Sequence, residues 1–334
     1  LFAGIGGMRL GFQKLGCRCV FSSEIDPHAQ KTYLANFGTK PFGDIYKLKD
    51  KDIPDHDILL AGFPCQAFSN AGLKKGFEDD RGILFFEIQR ILNIKRPKMF
   101  LLENVKQLRS HDNGRTLDTI MECLTGIKNE LPLNLPENKI IKQALKNKLN
   151  YWCDFKIISS KDHKVPQNRQ RIYLVGFNRE YYKDVNFNEL FSWPENQKSN
   201  KKLSSILQSH NEVDPKYTLS EKLMNGHIKR KERNRKKGNG FGYSLFKKDA
   251  RHTNTLSARY YKDGSEILID QSDLGLRPRK LTPRECARLQ GFPEKFIIDM
   301  VPDVQAYRQF GNSVSVPVIE AIAKKMIDFD KNFK

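Results

Sequence analysis

Short apolar runs alternate with helical patterns through the first half of this chain, and that alternation limits the possible folds more than any other feature. Strand-like runs fall at 19–22, 58–61, 99–102, 156–159 and 172–176. Helix-like stretches occupy 8–15, 28–37 and 83–93. Such an order predicts an α/β fold, a mainly parallel sheet with helices on both faces. Ligands of these sheets bind beyond the carboxyl ends of the strands, so the residues just after each run are the candidates for chemistry.

After about residue 177 the pattern changes. Residues 178–239 are polar, lysine-rich and weakly periodic, and 229–237 is the densest basic run. Gly238-Asn-Gly-Phe-Gly242 reads as a break, followed by an extended segment at 259–270. This is a second domain or a large insertion, and 334 residues suffice for two domains. Two helices close the chain. Thr282, Pro283 and Glu285 supply the cap, first position and capping box of one, which Gly291 can end. Ser315 and Pro317 open the other, whose Ile319, Ile322, Ala323 and Met326 form an apolar stripe.

No apolar run approaches the ~20 residues of a membrane span, and no signal peptide is recognisable. The chain opens at Leu1 within a strand-to-loop transition, so an initiator Met and the front of that strand are expected upstream. Six scattered cysteines without paired CxxC spacing indicate neither a metal site nor a disulfide framework. They suit a reducing, cytoplasmic setting. The net charge of +19 attracts membranes, acidic proteins or nucleic acid. Nucleic acid is the commonest partner of a large basic enzyme.

Phe63-Pro64-Cys65 follows the second apolar run. A thiol at a strand tip can reach a ligand, whereas a lone cysteine is more often a core residue. Glu103 ends an equally apolar run, and if the two strands are neighbours both groups face one crevice. A carboxylate there is costly unless hydrogen-bonded or protonated. Arg169 and Arg171 precede the last strand and in extended chain share a face. They suit a phosphate or a polarised carbonyl, or are simply solvated. Phe2-Ala3-Gly4-Ile5-Gly6-Gly7 before a helix lets the backbone approach a ligand, though a tight turn would look the same. Glu24 in Ser23-Glu24-Ile25-Asp26 sits where nucleotide-binding sheets hold ribose hydroxyls, and Asp26 suits a helix N-cap. Asp44 could hold an adenine amino group with Ile45 packed on its ring. Gly311-Asn312 is a turn, and Ser313 or Ser315 can cap the final helix.

Taken together, FAGIGG, SEID, GDI, GFPCQAFS, ENV, QNRQRIYLVGF, RPRKLTPRECARLQGFP and YRQFGNSVSVP, in that order, resemble the bacterial DNA (cytosine-5)-methyltransferases over nearly the whole chain. The resemblance implies a Rossmann-like fold that binds S-adenosylmethionine, released as S-adenosylhomocysteine, in residues 1–177 completed by 303–334. A target-recognition domain would span 178–302. Cys65 would be the nucleophile that adds at cytosine C6, Glu103 the acid on the cytosine edge, and Arg169 and Arg171 aids at the base carbonyl and phosphate. Phe2, Ala3, Gly4, Gly6, Gly7, Glu24, Ile25, Asp44, Ile45, Pro64, Asn312 and Val314 would line the cofactor. Ile25 stands where the family often has tryptophan. The partner would be duplex DNA, its target cytosine flipped out of the stack. Residues 238–243 and 256–270 look like the branch acting on CC(A/T)GG, CCGG or CCNGG sites. Arg259 would read guanine or contact phosphate, and Lys229, Arg230, Lys231 and Arg233 would contact DNA. A monomer in a restriction–modification system is expected, with a cognate endonuclease acting independently. The competing readings are a tRNA methyltransferase on the same scaffold and a non-catalytic nucleic-acid-binding protein. A nicotinamide dehydrogenase would need GxGxxG, which Gly4-Ile5-Gly6-Gly7 does not supply.

Overall fold

The computed structural model describes residues 1–63, 80–126, 135, 138–197, 200–240 and 242–333; of residues 80–82 it describes the backbone. Four strands form the main sheet: β1 (Ile58–Gly62), β2 (Met99–Val105), β3 (Tyr151–Ser159) and β4 (Gln170–Asn178), in the order β1-β2-β4-β3. The helices are α1 (Gly7–Gln13), α2 (Pro27–Phe37), α3 (Asp80–Lys95), α4 (Arg115–Thr125), α5 (Lys139–Ala144), α6 (Phe187–Leu190), α7 (Glu221–Lys236), α8 (Tyr260–Asp263), α9 (Pro283–Leu289), α10 (Asp303–Asn312) and α11 (Val316–Lys331).

β1 and β2 run parallel, placing Gly62 opposite Glu103. β4 is antiparallel to both β2 and β3. The α/β layering holds, but this half of the sheet is mixed rather than mainly parallel. The reason is the connection between β3 and β4, residues 160–169. It is shorter than the dozen or more residues a parallel crossover takes, so the two strands return as a hairpin. Beyond β1 the sheet continues through extended segments: Leu1 N donates to Leu60 O (2.6 Å), Ala3 N to Ser23 O (2.9 Å) and Glu24 N to Phe42 O (2.8 Å). The link between Ser23 and Phe42 is parallel.

Both sheet faces are covered, which is why the strands read as continuous apolar runs. Phe100, Leu102, Ile172 and Leu174 pack toward α3, α4 and α5, against Phe85, Ile88, Leu117 and Ile120. Met99, Leu101, Tyr173, Val175 and Phe177 point the other way, toward Phe12 of α1 and Ile319, Ile322, Met326 and Phe329 of α11. Glycine lets α1 and α11 touch: a Cβ on Gly11 would lie 2.6 Å from Ile319 Cγ2. Tyr182, Phe187 and Phe191 pack into this same cluster.

The third cluster joins Leu256, Tyr260, Ile267, Leu281, Ala287, Phe292 and Phe310 to Ile5 and Ala29. A small sheet, β5 (Leu245–Phe246), β6 (Leu268–Ile269) and β7 (Arg279–Lys280), frames it. The segment at 259–270 is not extended throughout. Tyr260–Asp263 forms a helical turn, stopped by Gly264 at φ +65°, because the Tyr260 ring is buried and its hydroxyl donates to Ile267 O (2.6 Å). The basic run, read as weakly periodic, belongs to the helix α7. Ser220 caps it, accepting from Leu223 N (3.3 Å), and its buried residue is His227.

Candidate active site

Glu103 sits at the carboxyl end of β2, on the face that carries Met99 and Leu101. Its Oε1 lies 3.2 Å from Arg171 Nε, which leans across from β4. Burial pushes the Glu103 carboxyl above the ordinary carboxylate range, and the guanidiniums of Arg171 and Arg169 pull it partway back. A carboxyl so placed can hold a proton and give it to a base edge. The neighbouring Asn104 is buried, and its Nδ2 donates to Phe63 O (3.3 Å). Asn104 thereby ties the residue preceding Pro64-Cys65 to the strand that bears Glu103. Residue type and position alone do not reveal this task for Asn104. Pro64 and Cys65 themselves lie outside the described residues.

The described cysteines are free. Burial raises the thiols of Cys17, Cys153 and Cys286, and that of Cys123 to about 12. Thiols held protonated in this way are poor nucleophiles.

Arg169 and Arg171 both bear on the Glu103 carboxyl but make different hydrogen bonds. Residue 169 precedes the first β4 residue, and its backbone N–H donates to Ser160 Oγ (3.2 Å). The Arg169 guanidinium is 3% exposed and donates to three carbonyls, Leu256 O (3.0 Å), Gly311 O (3.2 Å) and Ser313 O (2.6 Å).

The glycine loop and the acidic loop meet edge to edge. Gly4 N donates to Glu24 Oε2 (2.7 Å) and Asp26 N to Glu24 Oε1 (2.9 Å). Gly4 has φ +53° and open space where a Cβ would be, and Gly6 has φ +86° with Phe37 2.2 Å from that point. Phe2 also has positive φ, and Ala3 N is bound to the Ser23 carbonyl. Gly7 leaves room for Val314, since a Cβ there would lie 2.8 Å from Val314 Cγ2. Asn312 is exposed beside it. Asp26 caps α2 through His28 N, as its position suggested. Asp44 accepts from Tyr46 N (3.0 Å). Ile45 turns into the core, so it does not offer its face to a ring, whereas Ile25 is 68% exposed. Open glycine backbone, a fixed carboxylate and an exposed aliphatic face fit an adenosine-bearing methyl donor.

Of the basic residues, Lys229 and Arg233 are exposed on α7. Arg230 turns inward to Asp263 (2.7 Å) and to His227 Nδ1 (2.9 Å). Lys231 lies over the Tyr243 ring at 4.6 Å. Arg259 is exposed at the head of α8, with its N–H on Ser257 Oγ (3.2 Å). Among the described residues, no group of three His, Cys, Asp or Glu is arranged to hold a metal ion. No helix among them is long and apolar enough to cross a membrane.

The profile of the C-5 cytosine-specific DNA methylase family matches residues 1–128 and 132–328. The chain belongs to that family. This methylase is therefore an enzyme, a DNA (cytosine-5)-methyltransferase acting on DNA, and the family implies S-adenosylmethionine as methyl donor. It is 55% identical over 329 residues to Type II methyltransferase M1.ScrFI of Lactococcus lactis subsp. cremoris, covering 98% of this chain and 77% of that one. To Type II methyltransferase M.HpaII of Haemophilus parainfluenzae it is 43% identical, covering 98% and 88%. Among solved structures, the Entamoeba histolytica methyltransferase EhMeth superposes with a TM-score of 0.72 at 22% identity, covering 100% of the methylase and 97% of that chain. That likeness concerns the fold alone.

Proposed function

We propose that Cys65 is the nucleophile, Glu103 the acid and Arg171 its partner in methyl transfer to a flipped cytosine. The observation that carries this is the Glu103–Arg171 pair, set in a buried strand end that also anchors Phe63, two residues before Cys65. Cytosine C5 is a weak nucleophile. Addition of the Cys65 thiolate at C6, with Glu103 donating to N3, gives C5 the electron density of an enamine. S-adenosylmethionine supplies the electrophilic methyl group. Loss of the C5 proton then lets the thiol leave. Glu24, Ile25, Asp44 and the Gly4–Gly7 loop would hold the donor, with Val314 and Asn312 closing one side.

Residues 178–302 would recognise the target, with Lys229, Arg233 and Arg259 facing the DNA, Arg230 held by Asp263 and Lys231 laid over the Tyr243 ring. The exposure of the first three and the ion pair of Arg230 support that division of labour. The target would be a CC(A/T)GG, CCGG or CCNGG site, supported by the character of residues 238–243 and 256–270. A restriction–modification system with a separate endonuclease, a cytoplasmic setting and a monomeric state complete the reading. The Type II names of the relatives support the first of these.

Bisulfite sequencing of DNA from cells expressing the protein tests the target. Protected cytosines in one short CC-containing context are expected. Protection scattered without context, or confined to a motif lacking CC, would overturn the target reading.

A further inference from the structure

We infer that Arg169 is a positioning residue that latches the DNA-recognition segment to the turn closing the cofactor cradle, so that target binding and methyl-donor binding are energetically coupled. This rests on the proposed roles of residues 178–302 and of the glycine loop. The three carbonyls that Arg169 binds come from two stretches far apart in sequence. Leu256 leads into Ser257 and Arg259, while Gly311 lies in the last turn of α10 and Ser313 caps its end, just before α11. The two backbones are in direct contact, since a Cβ on Gly311 would lie 2.3 Å from Ser257 O and 2.4 Å from Ala258 N.

Each end of the latch continues to a binding surface. On one side Ser257 Oγ accepts from Arg259 N (3.2 Å), the candidate base reader. On the other, Ser313 Oγ and Val314 Cγ2 stand 2.9 and 2.8 Å from where Gly7 would carry a Cβ, so the turn is seated on the glycine loop. Residues around Arg169 hold the same segment in register. Asn168 N donates to Thr253 O (2.9 Å), Thr255 Oγ1 to Asn168 O (2.7 Å) and Leu256 N to Gln167 Oε1 (2.8 Å). A buried guanidinium is rigid, always charged and supplies several donors in a fixed plane. Its position is therefore set by all three carbonyls together, and moving either stretch disturbs the other.

The test measures the affinity for S-adenosylhomocysteine with and without cognate duplex DNA. For the wild type, the ratio of the two is expected to be about 5–150-fold, the usual range of coupling between sites. In Arg169→Lys, which keeps the charge but loses the planar fork, the ratio falls toward one while kcat at saturating substrates falls less than the combined KM values rise. Thr255→Val removes one hydroxyl of the same latch and keeps the volume. It is expected to fold normally and to reduce the ratio by a smaller factor. A wild type that binds both ligands with no coupling overturns the inference. So does an Arg169→Lys protein with unchanged coupling and a large loss of kcat, because Arg169 would then act at the reacting base. If Arg169→Lys fails to fold, an unchanged ratio in Thr255→Val overturns it alone. A wild type that binds no duplex DNA would instead sink the recognition reading beneath it.

Discussion

Glu285 is completely buried at the start of α9, and its carboxylate accepts four hydrogen bonds. Arg279 donates to both oxygens (2.7 and 2.8 Å), Thr282 N to Oε2 (2.8 Å) and Gln208 N to Oε1 (2.9 Å). One side chain thus joins β7, the cap of α9 and the loop at 208, the frame that carries the segment leading to Arg259. In Glu285→Gln one oxygen becomes an NH2 group, so donors on that side face a donor and Arg279 remains buried without a counter-charge. Breaking a buried ion pair from one side costs about 3–5 kcal/mol. At roughly 2.1 cal/mol/K of unfolding entropy per residue, 334 residues give about 0.7 kcal/mol/K, so Tm should fall by about 4–7 °C. Differential scanning calorimetry reads this directly. The double variant Arg279→Met with Glu285→Leu removes both charges and should recover most of the loss, because well-packed apolar replacements of buried pairs are often neutral. A Tm within ~1 °C of wild type in Glu285→Gln, or a double variant worse than the single, would refute the reasoning.

Three further outcomes are expected. Glu103→Gln should lower kcat by about 10²–10⁴-fold, the usual worth of a positioned acid. Because burial raises the Glu103 carboxyl, its proton is present below that raised value and lost as pH climbs through it. The wild-type rate should therefore show an alkaline limb, and the native state should lose stability over the same rise in pH; a pH–rate profile of Glu103→Gln that retains the limb would count against the assignment. Neutralising Lys229 and Arg233 together should reduce the salt slope of DNA binding by up to ~1.8 without changing the methylated sequence, since phosphate contacts carry no sequence information. Gly7→Ala should weaken methyl-donor binding, measured by calorimetric titration, because the new Cβ would press on Val314 and Ser313 at 2.8–2.9 Å.

Much of the α/β architecture was legible because local patterns carry it. Apolar runs marked β1 to β4, and Thr282, Pro283 and Glu285 announced α9 with its capping box. Strand direction was less legible, since an apolar run is the same read either way; only the short 160–169 connection marked the β3–β4 hairpin. Helix α7 escaped because its surface is almost wholly polar, with His227 its buried residue. At the site, Glu103, Arg171, Gly4 and Glu24 were each singled out by residue type and order, but the pairing of Glu103 with Arg171 and of Gly4 with Glu24 was not. Nor were the partners of Arg169. They are the carbonyls of Leu256, Gly311 and Ser313, far away in sequence and without side-chain identity to betray them. Ile45 failed as a ring-packing residue for a similar reason: the core claimed it, while Ile25 stayed exposed.

Covalent attack by Cys65 is the centre of the proposed mechanism, and such an adduct can be trapped. A duplex carrying 5-fluorocytosine at the site found by bisulfite sequencing should be methylated once and then held, because fluorine at C5 cannot leave as a proton does. Incubation with S-adenosylmethionine followed by proteolysis and mass spectrometry should give a single cross-linked peptide containing Cys65, absent in Cys65→Ser. A cross-link at any other residue, or release of methylated DNA by Cys65→Ser at the wild-type rate, would contradict the mechanism.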